Sequence, residues 1–142
     1  MSVPGRADAA IELRDGSLVR LRQGHSSDKE LLIRGFARLS PESRYRRFLA
    51  ATPELTEEMV RYLTQIDHRD HEAIIALEDK TGEGIGVARY VRSKERPDVA
   101  EVAVTVVDDW QGRGLGTLLL EAISARARRR HQAVHRTGPG DQ

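Results

Sequence analysis

The stretch "AEVAVTVVDDWQGRGLGTLLLEAI", Ala100 to Ile123, decides the fold. Its first part alternates apolar residues as a half-buried strand does, and its last part places leucines at helical spacing. Between them lies a turn with three alternating glycines, Gly112, Gly114 and Gly116. Such a turn leaves the first helical N–H groups unpaired, and with the helix dipole they favour an anion. The turn therefore predicts a phosphate site, although the glycines would also suit a tight turn that binds nothing.

The residues before this stretch predict further elements. Asp15-Gly16 lies between two alternating runs and predicts a hairpin. Ser27 and Glu30 match a capping box at the start of a helix, which Ser40-Pro41 would restart through "ESRYRRFL". Thr56 is a typical N-cap for a further helix. The strands "HEAIIALED", "GIGVARYVRS" and "VAEVAVTVVD" then predict a meander.

The last predicted helix runs from Thr117 to about Arg130. The fold class is therefore α/β (α+β), with a mixed, largely antiparallel sheet flanked by helices. We expect one domain over residues 1–142, with its core at about 11–130 and a flexible tail at 131–142.

Composition narrows the functional classes. The 23 lysines and arginines nearly balance 22 aspartates and glutamates, so the charge predicts no nucleic-acid partner. The chain has no cysteine and no long apolar run, and this favours a cytoplasmic protein without a membrane partner. His68 and His71 have no third ligand pattern beside them, so they predict polar loop residues rather than a metal site.

The spacing of the glycine turn disfavours two common phosphate binders. A P-loop needs a lysine after its last glycine, where this chain has Thr117 and Leu118. A dinucleotide site reads G-x-G-x-x-G and needs an acid about 20 residues further on, whereas this turn reads G-x-G-x-G.

The turn resembles the acetyl-CoA motif of the GNAT superfamily of N-acetyltransferases, Q/R-x-x-G-x-G/A, which stands here as Gln111, Gly114 and Gly116. The predicted element order from about Ile11 to Arg130 is similar to that of the superfamily. The segments "RLSPESRYRRFL", "DHRDHEAIIALED" and "GVARYVR" look like bacterial protein lysine acetyltransferase domains.

The resemblance implies acetyl-CoA as cosubstrate, with no metal. The pyrophosphate would bind the amides of residues 112 to 117, and the pantetheine arm would pair with the strand before them. The cofactor-binding residues implied are Val104, Val106, Gln111, Gly112, Arg113, Gly114, Leu115, Gly116 and Thr117.

The resemblance also implies Glu101 as the general base, with a partly desolvated carboxyl group. A solvated surface glutamate, or one paired with Arg89 or Arg92, is the alternative. The acceptor would be a primary amine, and the subfamily likeness favours a protein lysine. In the family the helix with Met59 and Tyr62 borders the acceptor groove.

Complete family members continue beyond the last helix with a fifth strand, a helix and further strands, and we expect this chain to lack them. A catalytically weak domain that binds CoA or only associates with other chains is therefore the second hypothesis. The missing strand would expose an edge along Val102 to Val107, which predicts a homodimer.

Two further features have structural interpretations. Trp110 is expected to anchor its loop against the core. The basic run "RARRRH" at 126–131 fits a solvated helix C-terminus, with a contact to the 3′-phosphate of CoA as the alternative.

Overall fold

A computed structural model describes residues 10–40, 56–129 and 133–136, the last of these as backbone only. The elements in chain order are β1 (Ile11–Glu12), β2 (Leu18–Gln23), α1 (Lys29–Ala37), α2 (Glu57–Thr64), β3 (His71–Glu78), β4 (Gly84–Arg92), β5 (Val99–Val106), a 3₁₀ turn (Asp108–Trp110), α3 (Leu115–Arg129) and β6 (Ala133–Arg136). The helix expected over Pro41 and "ESRYRRFL" lies outside the described residues.

The strands form one six-stranded sheet in the order β1-β2-β3-β4-β5-β6. Neighbours are antiparallel except β5 and β6, which run parallel, so the predicted mixed, largely antiparallel sheet is confirmed. The hairpin at Asp15-Gly16 is also confirmed. The Gly16 N–H donates to the Leu13 carbonyl (2.9 Å), and Gly16 has a φ of 87°.

Strand β6 corrects one prediction. The chain does contain the strand after the last helix, because Ala133 to Arg136 pair with Val99 to Val102. Residues 133–136 are therefore not part of a tail. The free edge predicted at Val102 to Val107 is shorter than expected, since pairing with β6 covers Val102.

Local signals explain where the helices begin. Thr56 caps α2, since its side chain accepts a hydrogen bond from the Met59 N–H (3.1 Å). The capping box predicted at Ser27 and Glu30 is wrong: Asp28 is the N-cap of α1 and makes no side-chain cap bond to it. The Asp28 carboxylate instead binds Arg22 at 2.7 Å, in a charge-assisted contact between two partly buried side chains.

Helix α3 covers one face of the sheet. It buries Leu115, Leu119 and Ile123 completely, against residues such as Tyr90 and Val102. The last turn of α3 is fixed by an ion pair between Arg126 and the fully buried Glu72 of β3 (2.7 Å). Helices α1 and α2 lie on the opposite face. No helix in the described part of the chain is long and apolar enough to span a membrane.

Gly86 of β4 allows α3 to approach the sheet closely. A Cβ atom there would lie 2.9 Å from Leu119 Cδ1 and 3.2 Å from the Thr105 carbonyl oxygen. We expect Gly86→Ala to lower the free energy of unfolding by about 1–3 kcal/mol, because α3 or β5 must shift. Denaturant unfolding measures the change.

Gly35→Ala in α1 is the matched control. A Cβ atom at Gly35 meets nothing within 4 Å, so this substitution should raise stability by up to about 1 kcal/mol through helix propensity. Equal destabilisation by both substitutions would contradict the close packing of α3 on Gly86.

Candidate functional site

The glycine turn connects β5 to α3 through the 3₁₀ turn at Asp108–Trp110. Gly112 and Gly114 have φ angles of 79° and 92°, which favour glycine strongly. Gly116 does not share this conformation, because it lies in the first turn of α3, which begins at Leu115 rather than at the predicted Thr117. Trp110 is buried and anchors the turn against the core, as predicted.

The amides of residues 112 to 117 face no protein acceptor. The first hydrogen bond of α3 to the turn runs from the Leu118 N–H to the Gly114 carbonyl (3.2 Å). Within the described ranges, no hydrogen bond uses any amide from Gly112 to Thr117. The side chain of Leu115 is buried in the core, so only its backbone is available. This row of donors at a helix N-terminus has the chemistry of a phosphate site.

The hairpin between β1 and β2 borders the same turn. Arg113 stacks on Trp110, with its guanidinium carbon 4.5 Å from the ring centroid, and lies 3.6 Å from the Asp15 carboxylate. Its guanidinium also donates to the Ser17 hydroxyl (3.3 Å). The Arg14 guanidinium lies beside Gly114, since a Cβ atom built at Gly114 would lie 3.5 Å from Arg14 Nε. Two cations therefore flank the open amides.

The described part of β6 pairs with only the first half of β5. This pairing begins at Val99 and ends at Val102, four residues before β5 itself ends at Val106. Val104 and Val106 lie in the part of β5 that the described residues of β6 do not reach. The Gln111 side-chain amide donates to the Val106 carbonyl (3.0 Å), so it joins the end of β5 to the turn.

Glu101 lies in β5 opposite Val91 of β4, one residue before the described pairing with β6 ends at Val102. Its side chain is exposed, so the desolvation predicted for it is not observed. Neither predicted arginine partner binds it, because Arg89 donates to His71 and Leu63 and Arg92 pairs with Asp70 (2.9 Å). The carboxylate makes no recorded hydrogen bond or ion pair with the described residues.

Glu101, Ala103 and Thr105 share one face of β5, because alternate residues of a strand point to the same side. This face carries a groove between the sheet and helices α1 and α2, which we call the α1–α2 groove. Its walls and floor include Leu32, Phe36, Leu63, Thr64, Arg89 and Thr105. Met59 and Tyr62 of α2 were suggested as acceptor contacts. Tyr62 is 54% exposed and packs its ring against that of His71, with the ring centroids 5.9 Å apart. Neither Met59 nor Tyr62 lines the α1–α2 groove.

His71 was predicted as a polar loop residue, but it is a buried, hydrogen-bonded residue of a strand. It begins β3, is only 7% exposed, and its Nδ1–H donates to the Gln65 carbonyl (2.8 Å). Its Nε2 accepts from Arg89 (2.9 Å), so both ring nitrogens are used. Burial, reinforced by the nearby Arg89 charge, lowers the pKa of His71 to about 4. The imidazole is therefore neutral at neutral pH.

His68 lies in the loop before β3 with a φ of 61° and contacts the Glu72 carboxylate (2.8 Å). In the described part of the chain, no group of three histidines, aspartates or glutamates is placed to hold a metal ion. Within the basic run at 126–131, Arg126 is engaged by Glu72, and the 15-residue α3 places that end of the helix about 20 Å from the glycine turn. The alternative role of the run, a contact with the 3′-phosphate of CoA, stays a prediction.

Comparison with known proteins identifies the class. The model of the acetyltransferase (GNAT) family matches residues 30–137. The chain therefore belongs to the GNAT acetyltransferase family, whose members use acetyl-CoA, and the resemblance found in the sequence is confirmed.

Particular relatives lie in the same class. The chain is 36% identical over 113 residues to acetyltransferase Pat of Mycolicibacterium smegmatis, covering 80% of this chain and 34% of that protein. It is 35% identical over 119 residues to acetyltransferase PA5475 of Pseudomonas aeruginosa, covering 82% of this chain and 63% of that protein. It thus spans about a third and just under two thirds of these relatives.

A solved structure is similar over most of the chain. The GNAT domain of S. lividans PAT matches with a TM-score of 0.81 and 36% identity, covering 92% of this chain and 77% of that one. The predicted fold class is confirmed by this likeness.

The lowered pKa of His71 predicts a pH dependence of stability. Between about pH 4 and pH 6.5 the unfolded chain binds a proton at this residue that the folded chain does not. The free energy of unfolding should therefore rise with pH across this window, by at most about 3 kcal/mol from this group. His71→Gln should flatten the rise, as measured by urea unfolding at several pH values.

Asp67 provides the internal control for that measurement. Hydrogen bonds from backbone amides, that of His71 first, lower its pKa to about 2, so its contribution is lost only as the pH falls below about 4. A His71→Gln variant with an unchanged slope between pH 4 and pH 6.5 would contradict a neutral, buried His71.

Proposed function

We propose that the domain is an acetyl-CoA-dependent N-acetyltransferase that transfers acetyl to a primary amine, with a protein lysine as acceptor. The observation that carries the proposal is the row of open amides at residues 112 to 117, which follows the end of β5. Membership of the GNAT family supports the same cosubstrate. A cytoplasmic location, where acetyl-CoA is made available, is part of the proposal.

In this proposal the pyrophosphate of acetyl-CoA accepts hydrogen bonds from the amides of the glycine turn. The flanking Arg113 and Arg14 add positive charge there, which strengthens the hydrogen bonds to phosphate oxygens. The pantetheine arm lies along Val104 and Val106, where its amide groups pair with the backbone of β5 as a neighbouring strand would. The thioester then reaches the region of Glu101.

The acceptor must lose a proton before it attacks. Glu101 takes this proton from the ammonium group, directly or through one water molecule. The amine nitrogen then bonds to the thioester carbon, and the C–S bond breaks to release CoA as its thiolate, which takes up a proton. A backbone N–H of β5, at Val104 in our proposal, donates to the oxyanion during this step.

The exposure of Glu101 favours a macromolecular acceptor. A base at the surface can receive a lysine side chain that remains part of a folded protein, whereas a small metabolite would gain little from the shallow surroundings. The likeness to acetyltransferase Pat and to the GNAT domain of S. lividans PAT agrees with this acceptor class. Acetyl-CoA binding without turnover of any amine would favour the second hypothesis, a domain that only binds CoA or associates with other chains.

A homodimer through the sheet edge stays a prediction. The edge that would bind a second copy is the part of β5 beyond Val102, which the described residues of β6 do not reach. In our proposal the pantetheine arm occupies the same segment. Association there and acetyl-CoA binding should therefore compete.

Gly114→Val tests the phosphate site. A β-branched residue disfavours a φ of 92°, so the substitution should distort the turn and its row of amides. We expect acetyl-CoA binding, measured by calorimetry, to weaken by at least about 100-fold, as for loss of several phosphate hydrogen bonds. The fold should remain.

Gly82→Val is the matched control, because Gly82 has a similar φ of 76° in the turn between β3 and β4. It imposes similar backbone strain without touching the glycine turn. Parental affinity in Gly114→Val, or equal loss in both variants, would reject the phosphate site.

Glu101→Gln tests the base. If Glu101 accepts the proton, the substitution should lower kcat by roughly 10²–10⁴ while the acetyl-CoA dissociation constant stays near the parental value. The loss should shrink at high pH, where more amine is already deprotonated. Glu95→Gln, in the exposed loop between β4 and β5, is the control. Parental kcat at neutral pH in Glu101→Gln would make Glu101 a surface residue only.

A further inference from the structure

The C-terminal end of α2 is held to the sheet by two buried side chains. The Arg89 guanidinium of β4 donates to the Leu63 carbonyl (2.9 Å), and the His71 Nδ1–H donates to the Gln65 carbonyl (2.8 Å). Carbonyl groups in the last turn of a helix have no partner within the helix, and donors with positive charge suit them best. The sheet thus supplies partners for carbonyl groups at the end of α2, beside the bond from the Gln65 N–H to the Tyr62 carbonyl.

The two side chains also fix each other. Arg89 donates to His71 Nε2 (2.9 Å), and the imidazole can accept there only because its proton is on Nδ1. Arg89 is 5% exposed and His71 is 7% exposed, so neither can exchange these bonds for water. The result is a rigid connection from β3 and β4 to the last turn of α2, which we call the Arg89–His71 clamp.

The clamp lies beneath the α1–α2 groove. Arg89, Leu63 and Thr64 all line this groove. Arg89 is paired in register with Ala103 of β5, which lies between Glu101 and Thr105 on the same face. The clamp therefore sets the separation between the wall of the groove, formed by α2, and the strand that carries Glu101.

We propose that Arg89, acting with His71, is a positioning residue for the acceptor: by holding the last turn of α2 against β4, it sets the width of the α1–α2 groove through which the amine reaches Glu101. The inference rests on the proposed function for the reaction itself. The bonds from the Arg89 side chain to Leu63 and His71 lie on the α2 side of the sheet, away from the glycine turn, so we expect acetyl-CoA binding not to depend on them.

The test compares the parent with Arg89→Met, Arg89→Lys and His71→Gln, using acetyl-CoA and a lysine-containing protein or peptide acceptor found to be acetylated by the parent. Arg89→Met should raise the acceptor KM by roughly 10- to 100-fold, the scale of a small misplacement of a reactant, with kcat within about threefold. The acetyl-CoA dissociation constant should not change. A lysine at position 89 keeps a charged donor and should restore part of the acceptor KM.

Two controls separate positioning from general damage. Arg92→Met makes the same substitution three residues further along β4, where Arg92 pairs with Asp70 and not with α2. It should leave the acceptor KM at the parental value. If the clamp acts as one unit, the double variant Arg89→Met/His71→Gln should be no worse than Arg89→Met alone.

Amide hydrogen exchange gives a readout that needs no turnover. In Arg89→Met, exchange should accelerate at Tyr62 to Ile66, while the paired amides of β4 and β5 keep their protection. An unchanged acceptor KM in Arg89→Met, an equal rise in Arg92→Met, or an additive double variant would overturn the proposal.

The experiments distinguish failure of the proposed acetyltransferase activity from failure of the Arg89–His71 clamp. A parent that acetylates no amine would reject the proposed function and, with it, the kinetic role of Arg89. The clamp itself would be rejected only by unchanged exchange in the last turn of α2.

Discussion

The partial pairing of β5 with β6 is the constraint on which the proposed site depends. The two strands pair from Val99 to Val102, and the described part of β6 does not reach Val104 or Val106. Backbone groups of a strand need a partner, and a ligand can supply it. The glycine turn follows the end of β5, so it lies beside this segment. In the proposed function the pantetheine and phosphate sites are therefore neighbours.

Each face of the sheet is tied to a helix by buried polar groups. On one face Arg126 of α3 pairs with Glu72, whose carboxylate also contacts Gln23 and His68. On the other face the Arg89–His71 clamp holds α2. Such buried charges add little net stability, since desolvation offsets most of the attraction. Their directional bonds instead fix the register of each helix against the strands, which hydrophobic contact alone specifies less sharply.

The two ends of α3 show how charge is divided along one element. Its N-terminus keeps open amides beside Arg113, whereas its C-terminus uses Arg126 for a structural ion pair. A cation near a helix N-terminus opposes the helix dipole, and an anion between them removes that repulsion. The arrangement is therefore better suited to a bound phosphate group than to an empty turn. Basic residues at the far end take no part in this, because the length of the helix separates them.

The sequence by itself determined the features that depend on neighbouring residues. The Asp15-Gly16 hairpin, the Thr56 cap and the glycine turn were predictable because backbone conformation there depends on a few adjacent side chains. The alternation in β3, β4 and β5 likewise predicted the antiparallel sheet, and the spacing of Gln111, Gly114 and Gly116 indicated the family. Local patterns were thus sufficient for the fold class and for the family.

Only the tertiary structure decided what depends on distant partners. Helix α1 begins after Asp28 instead of at the predicted cap Ser27, and the Asp28 carboxylate pairs with Arg22. The residues Ala133 to Arg136 form a strand by pairing with β5. The exposure of Glu101 and the burial of His71 depend on which elements cover each face of the sheet. In the sequence, nothing distinguishes Arg89 from other charged residues of a strand. Its role arises because folding brings the carbonyl end of α2, some 26 positions earlier in the chain, within hydrogen-bond distance.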